Sequence, residues 1–172
     1  MTVKLKSRKT ESLSTAFHEA GHAVVAVVLC MPFKLLSIKP DKDFLGKLRH
    51  WSPCANPGIQ SVKDINRHAR NSIMVAFAGL PAERLFNPNA NEAAALTDEE
   101  NVLHISKEYG VLPRYFEYFG DEYHLRYLER LRKQAKKLVV EHSCKVELLA
   151  KELQRRIEMT QDEVLSFLDP FL

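Results

Sequence analysis

The feature that most constrains this chain is a proline-free stretch of helix-favouring residues near its start. The stretch Thr15–Leu29 is rich in alanine, and Pro32 follows it closely. This pattern predicts a helix over about Thr10–Cys30, with Ser12 or Ser14 as its N-cap. The second half of the stretch, AVVAVVL, is apolar on every side. We therefore expect this helix to run through the core of the protein.

The rest of the sequence predicts further helices and one small β region. Segments 34–40 and 44–50 flank Asp41-Lys42-Asp43, a pattern typical of a hairpin or of two short strands. We expect the other helices over Val62–Phe86, from Thr97 to Gly110, over 121–143 and 145–157, and up to Leu168, with Ser61, Thr97 and Thr160 as caps. The predicted fold class is mostly α (α+β): a helical domain with a small hairpin or sheet and a C-terminal helical bundle.

Composition and charge exclude several classes of protein. The chain has 172 residues, is 45% hydrophobic and 27% charged, and can bury a core without a disulfide framework. Its longest apolar run, Ala23–Phe33, is shorter than the roughly 18 to 20 residues of a membrane span. With no targeting segment evident, the sequence predicts a cytoplasmic protein without a membrane partner. A net charge of +3 does not favour a nucleic-acid partner.

A metal-binding pattern lies inside the first predicted helix. His18-Glu19-Ala20-Gly21-His22 has the form HExxH. Residues four apart share one helical face, so both imidazoles can reach a single Zn²⁺ ion. Glu19 follows the first histidine and could serve as general base toward a water molecule at the metal. The alternative is that both rings bond to neighbouring protein groups.

A catalytic zinc site needs a third protein ligand and one open position. Asp98 is a candidate because it lies in the first turn of a predicted helix, although an aspartate there also complements the helix dipole. Glu83 lies in the apolar stretch AFAGLPAERLF, and it could equally pair with Arg84. Spacing alone leaves both residues open as the third ligand.

Several segments together resemble a known family. HEAGHAVV (18–25), SIKP (37–40), LGKL (45–48), AFAGLPAERLF (76–86) and Thr97-Asp98 follow in the order found in the peptidase domain of the FtsH-like ATP-dependent zinc metalloproteases. The resemblance covers residues 12–169 as a single domain, after a basic leader over 1–11. It implies that His18, His22 and Asp98 are zinc ligands and that Glu19 is the catalytic base. For Glu83 it implies contact with a ligand rather than with the metal.

The resemblance also sets expectations for function. It implies a zinc-dependent endopeptidase that cleaves peptides or unfolded protein, with an extended substrate pairing beside the 34–50 strands. The chain carries no P-loop, so we expect a peptidase module alone, and a separate ATPase partner and a homo-oligomer both stay open.

The sequence also departs from the family pattern. Leu80, Pro81 and Arg84 replace family residues, and Ala93-Ala94-Ala95 replaces glycines. These departures motivate an alternative, a non-catalytic interaction module that retains a structural zinc site. The intact Glu19 argues against that alternative, because a structural site has no use for a base.

Overall fold

The first helix, α1 (Thr2–Val28), is longer than predicted. The computed structural model describes residues 2–40, 47–50, 61–90, 96–109 and 113–171. Because α1 begins at Thr2 rather than near Thr10, it includes most of the predicted basic leader, a segment with no glycine or proline to interrupt it. Ser12 and Ser14 lie inside the helix, so the prediction that either caps it is wrong.

Helices make up most of the described chain, which confirms the predicted fold class. They are α2 (Val62–Ala76), α3 (Gly79–Phe86), α4 (Leu96–Glu108), α5 (Pro113–Glu141), α6 (Ser143–Arg156) and α7 (Gln161–Leu168), followed by a short 3-10 helix, Asp169–Phe171. None of the helices in the described ranges combines the length and the apolar character needed to cross a membrane.

Side-chain caps fix two of these helix starts as predicted. The Ser61 hydroxyl accepts a hydrogen bond from the Asp64 backbone N–H, and Thr160 forms a capping box with Glu163. The prediction that Thr97 caps α4 is wrong, since α4 begins at Leu96 and Thr97 lies in its first turn. Gly110, the predicted end of that helix, lies outside the described residues.

A three-stranded antiparallel sheet lies beside the helices. Its strands are β1 (Phe33–Ser37), β2 (Lys47–His50) and β3 (Glu158–Thr160), in the order β2-β1-β3. The β1–β2 pairing, with Leu36 opposite Leu48, confirms the two predicted strands. Asp41-Lys42-Asp43, which would connect them, lies outside the described residues. Sequence analysis did not predict β3, which is three residues long and follows a helix directly.

The single helix predicted over Val62–Phe86 is wrong, because the chain turns at Phe77 and Ala78 between α2 and α3. Pro81 supplies the physical reason. In a continuous helix, residue 81 would donate its backbone N–H to the carbonyl of residue 77, and proline has none. Pro81 is tolerated in the first turn of a new helix, where backbone N–H groups have no partner within the helix. The interruption sets α3 against α1.

Two hydrophobic cores hold the helices in place. The larger core surrounds α1 and joins it to the sheet, α3, α6 and α7, with Val24, Leu36, Leu149 and Met159 among its buried residues. The smaller core packs α2, α4 and α5 together through Ile73, Met74, Phe77, Val102, Leu131 and Ala135. Because Val102 belongs to α4, this second core fixes the helix that carries Asp98.

Candidate metal centre

Three side chains from two helices converge at one point. His18 and His22 lie one turn apart on α1, and only 8% and 6% of their surfaces are exposed. Asp98 reaches them from the first turn of α4. Its Oδ2 is 3.0 Å from His18 Nε2, and its Oδ1 is 3.5 Å from His22 Nε2. Within the described chain, one ligand atom from each of the three residues lies within 4.8 Å of the others.

These separations and atom types could hold a metal ion. Two ligand atoms at about 2.0 to 2.1 Å from a tetrahedral zinc are roughly 3.4 Å apart, close to the two histidine–carboxylate distances. Asp98 Oδ2 is buried and makes no hydrogen bond to the described residues, although His18 Nε2 is 3.0 Å away. Two imidazoles and one carboxylate are also a common zinc donor set.

The far side of each imidazole is held by a different kind of group. The His22 Nδ1–H donates to the backbone carbonyl of Val75 at 2.7 Å. His18 Nδ1 faces Glu83 Oε2 at 3.3 Å. A histidine that donates through Nδ1 presents an unprotonated Nε2, which is the form that binds metal. Both rings are thus held with Nε2 toward Asp98, while Glu83 contacts the opposite nitrogen of His18.

The turn between α2 and α3 makes the Val75 carbonyl accessible. Val75 lies in the last turn of α2, where carbonyl groups lack the usual partner four residues later. Its oxygen accepts from the Ala78 backbone N–H at 3.0 Å and has a second lone pair for His22. The interruption that precedes Pro81 therefore contributes directly to the orientation of His22, a candidate ligand.

Glu19 lies beside the histidines and is almost completely buried. It is 5% exposed, and its Oε2 has no hydrogen-bond partner among the described residues. Burial raises the pKa of Glu19, and the nearby histidine charges only partly oppose this. A buried carboxylate oxygen without a hydrogen-bond partner is costly, so it is expected where the group meets a ligand or performs chemistry.

The charges of the site balance one another. Burial alone would lower the pKa of His18, but the carboxylates of Asp98 and Glu83 outweigh it and raise that pKa to about 10. Burial would raise the pKa of Asp98, yet the charges of His22 and His18 hold it well below its ordinary value. The carboxylates of Glu83 and Asp98 therefore require positive charge beside them, from protons on the imidazoles or from a cation.

Sequence reasoning missed three groups that support the site. The Ser14 hydroxyl donates to Glu83 Oε1 at 2.6 Å, and its position one turn before His18 could have indicated this. Gly79 lies against the His18 ring, where a Cβ atom would overlap it. The third group, the Val75 carbonyl, belongs to the backbone and leaves no signal in the sequence.

Comparison with known proteins adds no relative to this description. No protein-family model matches the chain, and no curated protein matches it either.

Proposed function

We propose that this chain is a zinc-dependent endopeptidase, similar to the peptidase domain of the FtsH-like proteases, that cleaves peptides or unstructured polypeptide. The observation that carries the proposal is the convergence of His18 Nε2, His22 Nε2 and the Asp98 carboxylate. The buried Glu19 carboxylate with an unpartnered oxygen beside them adds the group that a hydrolase requires.

The residues divide into those that hold the ion and those that orient its ligands. His18, His22 and Asp98 would hold Zn²⁺, which when bound polarises a carbonyl and lowers the pKa of water. Glu83 and the Val75 carbonyl keep the two imidazoles in the tautomer that binds metal. Because the histidines are nine-tenths buried, bulk water is largely excluded from their rings.

Glu19 is the proposed general base. Its carboxylate accepts a proton from the attacking water and then delivers it to the amine that leaves when the peptide bond breaks. The raised pKa of Glu19 suits this role, because a carboxylate with a raised pKa is a stronger base toward water. Removing its charge while keeping its shape should therefore abolish turnover and spare metal binding.

The sheet offers a place for the substrate backbone. Within the described chain β2 is an outer strand, since it pairs with β1 on one side, and it also contacts α1, which carries the histidines. An extended peptide could add to this edge through main-chain hydrogen bonds. Peptides and unstructured polypeptide present a free backbone for this pairing, which supports them as substrates.

A non-catalytic module with a structural zinc site fits the geometry less well. A structural site is normally closed by four protein ligands, whereas three converge here within the described residues. Burial of the Glu19 Oε2 atom without a hydrogen-bond partner among the described residues would also cost stability in a site with no catalytic role. These two observations favour catalysis.

The test combines metal analysis with peptidase assays of the purified protein and of Glu19→Gln. We expect both proteins to bind one zinc per chain, and the variant to lose about 10² to 10⁴ in kcat on an unstructured peptide. Glu147→Gln is the matched control, since Glu147 is an exposed residue of α6 that pairs with Lys151. Full activity in Glu19→Gln, or a wild type that binds zinc without cleaving any peptide, would overturn the proposal.

A further inference from the structure

Glu83 makes two contacts that tie α3 to α1. Its Oε1 accepts the Ser14 hydroxyl proton at 2.6 Å, and its Oε2 faces His18 Nδ1 at 3.3 Å. Ser14 and His18 are four residues apart, so they lie on the same face of α1. One carboxylate therefore spans two successive turns of the helix that carries the metal ligands.

The contact with Ser14 is the shorter of the two and the better suited to fix the carboxylate. A hydroxyl that donates to a carboxylate at this distance forms a strong, charge-assisted hydrogen bond. Glu83 is only 9% exposed, so water cannot easily replace this donor. Arg84 also attracts the carboxylate, and without the hydroxyl Glu83 would be free to turn away from the ring.

We infer that Ser14 is a positioning residue for the metal site, acting through Glu83 on His18. The inference rests on the proposed zinc site. The Ser14 hydroxyl holds Glu83 so that Oε2 stays against His18 Nδ1, and this contact keeps Nε2 of the ring aimed at the metal. Removal of the hydroxyl weakens metal binding although Ser14 touches neither metal nor substrate.

The experiment measures zinc affinity by competition with a chelator, a readout that does not depend on peptidase activity. Ser14→Ala should weaken zinc binding about tenfold, at the lower end of the range for residues that orient ligands. Ser14→Thr keeps the hydroxyl and should bind zinc within about twofold of wild type. Ser12→Ala is the matched control. Ser12 lies on the same helix, two residues before Ser14, and therefore on a different face from Ser14 and His18.

A double-mutant cycle separates positioning from a general effect on folding. Glu83→Gln should itself weaken zinc binding, and in that background Ser14→Ala should change the affinity less than twofold. Additive losses, or a Ser14→Ala variant with the affinity of wild type, would overturn the inference. A variant that melts earlier in its metal-free form yet binds zinc normally would also overturn it, by assigning Ser14 a merely structural role.

These experiments distinguish failure of the positioning role of Ser14 from failure of the proposed peptidase activity. If the wild type binds zinc but cleaves no peptide, the proposed activity fails and the affinity cycle still decides the role of Ser14. If the wild type binds no zinc, both proposals fail together. If Glu19→Gln behaves as expected and Ser14→Ala has no effect on affinity, only the positioning role fails.

Discussion

The backbone of Gly79 lies directly against the imidazole of His18. A Cβ atom built at residue 79 would overlap three atoms of that ring, including the Nε2 that faces Asp98. Because His18 is buried, the ring has little room to retreat. The absence of a side chain at Gly79 is therefore a requirement of the proposed metal site.

We expect Gly79→Ala to weaken zinc binding by at least tenfold, since it displaces a ligand from its orientation. Overpacking should also lower the free energy of unfolding by about 1 to 3 kcal/mol. Chelator competition and denaturant unfolding measure the two effects. Gly21→Ala is the comparison, because a Cβ at Gly21 would overlap Ala82 and the Ala78 carbonyl but not His18. If both variants weaken zinc binding equally, separation of α1 from α3 explains the loss.

The stability of the metal-free protein and the stabilising effect of zinc should change with pH in opposite directions. In the metal-free protein, burial lowers the pKa of His18 but its carboxylate neighbours raise it from 6.5 to about 10. Protonated His18 therefore stabilises the fold fully below pH 6.5, and this contribution is lost as the pH rises toward 10. Zinc requires unprotonated imidazoles, so its stabilising effect grows over the same interval.

Thermal unfolding with and without zinc checks this prediction. The melting temperature of the metal-free protein should fall as the pH rises from 6.5 to 9. Over the same interval, the increase in melting temperature caused by zinc should become larger. The depressed pKa of Asp98 adds stability that is present above pH 3.8 and is lost only as the solution becomes strongly acidic. If zinc raises the melting temperature by the same amount at pH 6 and at pH 8.5, protons do not compete with zinc at the histidines and the prediction is wrong.

The sequence was informative where a short motif and a regular helix coincide. Four-residue spacing on a proline-free helix predicts that His18 and His22 share one face, and in the structure the two rings lie in contact on α1. Asp98 was one of two open candidates. It reaches the histidines because α4 packs on α2 and α5 through a second core, and that packing involves contacts distant in sequence.

Features that depend on tertiary context could not be predicted in the same way. The His22 contact with the Val75 carbonyl depends on where α2 ends, and backbone acceptors carry no residue signature. Strand β3 forms because Met159 pairs with Leu36 across the sheet, a long-range interaction at a site of weak local preference. The interruption between α2 and α3, in contrast, has a local signal in the sequence, because Pro81 has no backbone N–H to continue the helix.

Arg132 on α5 links the helix that carries Asp98 to the second core. Its guanidinium donates to Glu99, the neighbour of Asp98, at 2.8 Å and lies 4.8 Å from the centre of the Phe77 ring. Both charged side chains are about half exposed, so the ion pair alone contributes little. The contact with the buried Phe77 ring adds a cation–π term.

We expect Arg132→Ala to lower the free energy of unfolding by about 1 kcal/mol. Lys133→Ala is the control, since Lys133 is 77% exposed, and it should change stability by less than about 0.5 kcal/mol. Urea unfolding at low and at high salt separates the contributions, because salt screens the ion pair with Glu99 more than the contact with Phe77. Equal losses in the two variants would show that the position of Arg132 over Phe77 contributes nothing.

Ile157 adopts a backbone conformation that its side chain disfavours. It joins α6 to β3 with φ 72° and ψ −38°, and its carbonyl accepts the Ile38 backbone N–H at 2.9 Å. Positive φ brings Cβ close to the backbone, a strain that only glycine avoids. Since Ile157 is 42% exposed, its replacement removes little buried surface.

We expect Ile157→Gly to be about 1 kcal/mol more stable than Ile157→Ala, the reverse of their order in regular helix or strand. Parallel urea unfolding of the two variants measures this difference, and a more stable alanine variant would mean that residue 157 does not hold a positive φ in solution.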